Sequence, residues 1–160
     1  MQSAPGAGAV FEIHLPCVET DPTQSMRDPP PLSIRRGGET VLLAEDDDRV
    51  RAAIRTTLAR HGYLVLEARN AVEALSLCDR HPGRIDVLLA DVVMPGTSGP
   101  DLARAVSERR PGVELFSMSG HAGDTTARHG IVPGGAFLQK PFTPATLLGK
   151  LREVLSRSAP

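Results

Sequence analysis

Four short segments carry side chains that could act together on a charged substrate: Glu45-Asp46-Asp47-Asp48, Asp91, Ser117-Met118-Ser119-Gly120 and Lys140-Pro141-Phe142. Gathered at one place, they would supply several carboxylates, a hydroxyl and an ammonium. Such hard oxygen ligands suit Mg²⁺ with several waters retained. Acids held together repel one another, and a divalent cation relieves that repulsion. The chemistry this points to is phosphoryl transfer, in which catalysis is mostly positioning and neutralisation of charge on the equatorial oxygens. Mg²⁺ would take one oxygen, Lys140 a second and Ser119 a third. Asp91 would be the nucleophile, giving an acyl phosphate, and the acids around Glu45 would hold the metal.

Each feature by itself has an ordinary explanation. An acidic run before a helix usually caps it and complements its dipole, and Asp47 and Asp48 are expected to do mainly that. A single Asp at a strand end is commonly a turn residue, as is Ser119-Gly120. A lone lysine is usually a solvated charge, and Pro141 suits the start of a helix. The stronger reading comes from where the four segments fall. Val41 to Ala44 is a continuous apolar run, as in a strand buried on both faces. Tyr63 to Glu67, Asp86 to Ala90, Val113 to Met118 and Ala136 to Gln139 read as further strands. Between them lie helical patterns: Asp48 to Arg60 with Val50, Ile54 and Leu58 on one stripe, ended by His61-Gly62; Ala71 to Arg80 with Val72, Leu75 and Leu77 inward; and Pro100 to Arg109. A short helix is expected over Asp124 to His129, and a final one over Thr143 to Ser156 with Leu147, Leu148, Leu151, Val154 and Leu155 apolar. Strands alternating with helices predict an α/β fold, a parallel sheet with helices on both faces. In such sheets ligands bind at the carboxyl ends of the strands, where all four segments lie.

Composition narrows the class. The chain has 160 residues, 41% hydrophobic and only 3% aromatic, so its core must be aliphatic. A formal net charge of −1 gives no basic surface for nucleic acid. No apolar run is long enough for a membrane span, and the N-terminus lacks a signal-peptide pattern, so a cytoplasmic module without direct membrane contact is expected. Cys17 and Cys78 form neither a metal knuckle nor a disulfide framework. Residues 17–38 hold Pro22, Pro29, Pro30 and Pro31 and read as a linker. Before it, Ala9 to Pro16 alternates Phe11, Ile13 and Leu15 with polar residues, a strand pattern with no partner strand in view. Three regions follow: 1–16, a poorly ordered remnant; 17–38, linker; and 39–158, the folded domain.

These residues resemble a family, the response-regulator receiver domain of two-component signalling. VLLAEDDDRVR is similar to its first strand and acidic pocket, DVLLADVVMPGTSGPDL to its acceptor strand and following loop, and LFSMSG and FLQKPFT to its last two strand ends. The similarity covers almost all of residues 40–157. It implies a flavodoxin-like, doubly wound, five-stranded parallel sheet of strand order 2-1-3-4-5. It implies that Asp91 attacks a phosphohistidine, supplied by a histidine kinase in cis or in trans, with a histidine phosphotransfer protein as a further partner. Asp46 would bind Mg²⁺ directly, Glu45 through water, and Val93 through its backbone carbonyl. Ser119 and Phe137 match the family's switch positions. The output surface would comprise the helix at Asp124 to His129, the strand at Ala136 to Gln139 and the final helix, biased between two pre-existing states. Such a module assists its own phosphorylation and dephosphorylation.

The segment PGAGAVFEIHLP resembles the end of a histidine-kinase ATP-binding domain, which implies a receiver from a hybrid sensor kinase whose parent is a histidine kinase, with any membrane anchor lying elsewhere in that parent. Two other classes fit less well. A non-phosphorylated interaction domain of the same fold would require a dead site, yet every expected group is present. A Mg²⁺-dependent phosphatase would need a proton donor two residues after the nucleophilic aspartate, where Val93 stands. A DNA-binding output is not expected, since the final helix is followed only by residues up to Pro160. The positions that tune acyl-phosphate hydrolysis in the family carry Val93 and His121, neither an obvious water activator. A phosphoryl group that is not unusually short-lived is therefore predicted; rapid decay of the phosphoprotein mass in purified material would overturn this.

Overall fold

The computed structural model describes residues 2–4, 8–10, 38–120 and 135–157. The chain divides into two units, Met1–Ile34 and Arg35–Pro160. In the first, Gln2–Ala4 pairs antiparallel with Gly8–Val10. The strand expected from Ala9 thus does have a partner over its described part, just upstream in sequence. Phe11 to Pro16, residues 17–37 of the linker with Cys17, His121 and the helix expected at Asp124 to His129 lie outside the described residues.

The second unit carries five strands: β1 Thr40–Ala44, β2 Leu64–Ala68, β3 Val87–Asp91, β4 Glu114–Ser119 and β5 Ala136–Gln139. They form one parallel sheet of order β2-β1-β3-β4-β5, as expected for a flavodoxin-like fold. Around it lie α1 Asp48–Arg60, α2 Ala71–Arg80, α3 Gly99–Arg109 and α4 Pro144–Arg157. Alternation along the strands sends successive side chains to opposite faces. Val41, Leu43, Val87, Leu89, Phe116, Met118 and Leu138 face α1 and α4, where Ile54, Leu58, Leu147, Leu151 and Val154 meet them. Leu42, Ala44, Leu88 and Ala90 face α2 and α3, meeting Ala74, Cys78, Leu102 and Val106. Both faces are thus aliphatic, which is why β1 and β3 read as unbroken apolar runs. Each fully buried Leu or Val contributes about 1.5–3 kcal/mol by leaving water.

Local chemistry explains the helix limits. The Asp47 carboxylate accepts from the N–H groups of Arg49 and Val50 at 2.8 and 3.0 Å, and these bonds hold its pKa below the usual carboxylate value. Asn70 and Ser98 cap α2 and α3 in the same way. Beyond α1, Gly62 has φ +88°, with its N–H on the Ala59 carbonyl at 3.1 Å and the Tyr63 N–H on the Leu58 carbonyl at 3.2 Å. That left-handed residue closes the helix where glycine is least strained.

One expectation about burial needs correction. Val72 was placed inward on α2, but it is 78% exposed, and Ala71, Ala74 and Cys78 form the buried stripe instead. The small side chains let α2 lie close to the sheet, and Val72 rotates to the solvent side. In the loop after β3, Val93–Met94 pairs antiparallel with Thr97–Ser98 around Pro95-Gly96. Gly96 has φ +83°, and Pro followed by a left-handed Gly is the signature of a type II turn.

Gly99 begins α3 against the end of β3. A Cβ there would lie 2.7 Å from the Asp91 carbonyl oxygen and 2.9 Å from the Val92 Cα, both backbone atoms that cannot yield. Gly149, within α4, would meet nothing within 4 Å. Urea unfolding is therefore expected to show Gly99→Ala destabilised by about 1–3 kcal/mol and Gly149→Ala stabilised by about 0.5–1 kcal/mol. The opposite ranking would contradict this packing.

Candidate functional site

Three strand ends deliver the charged groups. Glu45 follows Leu43 by two residues, Asp91 follows Leu89 and Lys140 follows Leu138, so all three continue the face packed by α1 and α4. The Lys140 Nζ donates to the Glu45 Oε2 and to the Asp91 Oδ2, each at 2.6 Å. The other oxygen of Asp91, Oδ1, accepts from the Val93 N–H at 3.1 Å. The acceptor carboxylate is thereby held at both oxygens and cannot rotate freely.

The cluster has a graded exposure. Glu45 is only 1% exposed, Asp91 is half-buried and Asp46 is exposed. Burial pushes the Glu45 carboxyl above its usual range; the hydrogen bond and charge of Lys140 offset this only in part, and the charge of Asp91 adds to the rise. For Lys140 burial acts downward, but its bonds to Asp91 and Glu45 outweigh it and hold its pKa above the ordinary lysine value. The shared ammonium thus opposes the burial that raises Glu45, while the two carboxylates it bonds raise Lys140.

One carboxylate oxygen from each of Glu45, Asp46 and Asp91 lies within 4.8 Å of the others. Three hard oxygen donors, net negative and open to solvent on the Asp46 side, fit a small divalent cation. Among the described residues this is a cluster of acids that could hold a metal ion.

The remaining expected residues lie around this point. Ser119 ends β4, is 1% exposed, and its carbonyl accepts the Lys140 backbone N–H at 2.7 Å. Phe137 is half-buried on β5, paired in register with Ser117. Paired residues in neighbouring strands share a face, so Phe137 lies on the face that carries Ser117 and Ser119, the side of α2 and α3. Val93 is half exposed, with its backbone turned to Asp91 through its N–H. Asp47 and Asp48 face away into helix capping and a pair with Arg51.

Sequence reading missed Arg51, which is 7% exposed and whose Nη1 donates to the Glu45 carbonyl at 2.9 Å. The signal was present, since position 51 falls on the buried stripe of Ile54 and Leu58, where a charged residue calls for an explanation. It also missed Asp86, whose Oδ2 accepts the Thr40 N–H at 2.7 Å and so ties the starts of β1 and β3 together.

Comparisons with known proteins give a consistent result. The family model described as "Response regulator receiver domain" matches residues 41–152. The sensor kinase CckA of Brucella abortus is 34% identical over 165 residues, covering 95% of this chain and 17% of that protein. The phosphate regulon transcriptional regulatory protein PhoB of Pseudomonas aeruginosa is 32% identical over 127 residues, covering 77% of this chain and 54% of that protein. The chain thus spans about a sixth and about half of the lengths of these two relatives. Among solved structures, the receiver domain from the hybrid histidine kinase CckA superposes with a TM-score of 0.62 at 33% identity, covering 72% of this chain and 98% of that one. Vibrio cholerae chemotaxis protein CheY4 does so with a TM-score of 0.65 at 29% identity, over 72% and 98% of the two chains.

Two outcomes follow from the Lys140 bridge. Lys140→Met should tighten Mg²⁺ binding at pH 8 by about fivefold in calorimetric titration, because one like charge at contact distance is worth about 1 kcal/mol even at the dielectric of water. Unchanged or weaker binding would contradict competition between the ammonium and the ion. A raised lysine pKa stabilises the fold fully below the unfolded value of 10.5, and that contribution is lost as pH rises through the higher folded value. The stability difference between wild type and Lys140→Met should therefore shrink above pH 10.5.

Proposed function

The chain belongs to the response-regulator receiver family, a module of two-component phosphorelay signalling, and on that premise we propose that Asp91 is its phosphoryl acceptor, with Mg²⁺ held by Glu45, Asp46 and Asp91 and by the Val93 carbonyl. The observation that carries this reading is the Lys140 ammonium bridging Glu45 and Asp91 at 2.6 Å, which puts the nucleophile, a buried acid and a phosphate-pairing cation in direct contact.

In the proposed step, a carboxylate oxygen of Asp91 attacks the phosphorus of a phosphohistidine. The new O–P bond forms as the N–P bond breaks, and its electron pair leaves with the imidazole nitrogen, which is then protonated by solvent. Bound Mg²⁺ would neutralise charge on a phosphoryl oxygen. The Val93 N–H keeps the Asp91 carboxylate aligned. Lys140 is released from Asp91 as that group becomes an acyl phosphate and pairs with a phosphoryl oxygen. Ser119 supplies a hydroxyl to a third oxygen and, with Phe137, carries the change toward the output surface.

The donor is a histidine kinase acting in cis or in trans, and a histidine phosphotransfer protein is a further partner. The region assignment is part of the proposal: 1–16 as the end of a kinase ATP-binding domain, 17–38 as linker and 39–158 as receiver. An alignment with CckA that covers 95% of this chain, against 72% for the receiver structure alone, supports an origin in a hybrid kinase. Among the described residues no helix is long and apolar enough to cross a membrane, and a cytoplasmic site of action is proposed, with any anchor lying in the parent kinase.

Incubation with a small phosphodonor and Mg²⁺ should add one phosphoryl mass to the wild type. The adduct should be absent from Asp91→Asn and lost with chelator. A folded wild type that takes no phosphoryl group would favour the alternative, a receiver-fold interaction domain without phosphorylation.

A further inference from the structure

Arg51 occupies a position that the apolar stripe of α1 would give to a core residue, three before Ile54 and seven before Leu58, and it is 7% exposed. A guanidinium there is costly to bury unless its donors are used. Nη1 donates to the Glu45 carbonyl at 2.9 Å, Nη2 bonds the Asp48 carboxylate, and Nε faces the Glu67 carboxylate at 3.8 Å. Glu67 is held in turn by the Arg55 Nε at 3.3 Å. One planar fork therefore joins the residue after β1, the first turn of α1 and the end of β2.

The carbonyl it holds belongs to the peptide unit that links Glu45 to Asp46. That unit is planar and stiff, so holding its oxygen restrains the plane that carries the Cα atoms of both residues. The other side of Glu45 is pinned by its N–H on the Ala68 carbonyl at 3.1 Å. Arg51 thus touches the peptide from which two consecutive carboxylates, Glu45 and Asp46, leave the backbone.

We propose that Arg51 is a positioning residue for divalent-cation binding. It acts through the Glu45 carbonyl to set the Glu45–Asp46 peptide plane, and its bonds run to that carbonyl and to the Asp48 and Glu67 carboxylates. This rests on reading Glu45, Asp46 and Asp91 as the Mg²⁺ site. A purely structural Arg51 would lower thermal stability and leave the affinity of the folded protein for Mg²⁺ unchanged. A positioning Arg51 changes that affinity in the folded state, on the scale seen when groups that orient metal ligands are removed.

The test is calorimetric titration of the full chain with Mg²⁺ at a temperature where circular dichroism shows each variant folded. Arg51→Met should weaken binding by about 10- to 100-fold. Arg51→Lys, which keeps the charge without the planar fork, should weaken it by less. Leu151→Ala, a core truncation away from the site, should lower the melting temperature and bind as wild type does. Wild-type affinity in Arg51→Met overturns the proposal while leaving the site itself standing, and so does equal weakening in Leu151→Ala, which would show that stability alone is being read. If Arg51→Met does not fold, Arg51→Lys decides: binding weaker than wild type supports the proposal, equal binding overturns it. A wild type that shows no Mg²⁺ binding overturns the site reading and this inference together.

Discussion

The ammonium of Lys140 between Glu45 and Asp91 is the contact around which the strand ends are organised. It joins β1, β3 and β5 at one edge of the sheet, across 95 residues of chain to Glu45 and 49 to Asp91. Two carboxylates this close repel one another, and the ammonium between them offsets that repulsion. Burial nonetheless displaces the Glu45 carboxyl upward, and the charge of Asp91 adds to that rise. The carboxylates of Glu45, Asp46 and Asp91 around the ammonium form a donor set of a kind that could hold a divalent cation.

The rest of the domain serves to hold those ends in register. The parallel ladder aligns Ala44 with Ala90 and Asp91 with Met118, so the residues after β1 and β3 emerge side by side. The aliphatic layers on both faces keep that register, because a one-residue slip would turn every inward side chain around. The Asp47 cap and the close approach of Gly99 to the Asp91 carbonyl then seat α1 and α3 directly against the site. A small rearrangement of either helix start would be felt by the carboxylates.

Neighbouring acids in this chain have separate duties that depend on their surroundings. Asp47 caps α1 and Asp48 pairs with Arg51, whereas Glu45, buried beside Lys140, belongs to the cluster. Four consecutive acids look alike in sequence, but the turn from β1 into α1 sends them in different directions. The same turn places Arg51 beneath the Glu45–Asp46 peptide.

Much of the fold was legible in the sequence because its signals are local. Unbroken apolar runs announced strands buried on both faces, the spacing of Ile54 and Leu58 announced α1, and Gly62 marked its end. The candidate site was legible too, since Asp91 and Lys140 stand directly at strand ends. What the residues alone could not decide was set by packing and long-range pairing. Helical periodicity did not show that Val72 would face solvent, because the tight seating of Ala71 and Ala74 against the sheet chose the rotation of α2. Nor did it show that Arg51 would be buried for the sake of a carbonyl, or that Lys140 would reach both Glu45 and Asp91. Sequence by itself determined which groups stand at the strand ends, through local pattern and propensity. Only the tertiary structure determined which of them meet, because that depends on sheet register and helix seating between residues far apart in the chain.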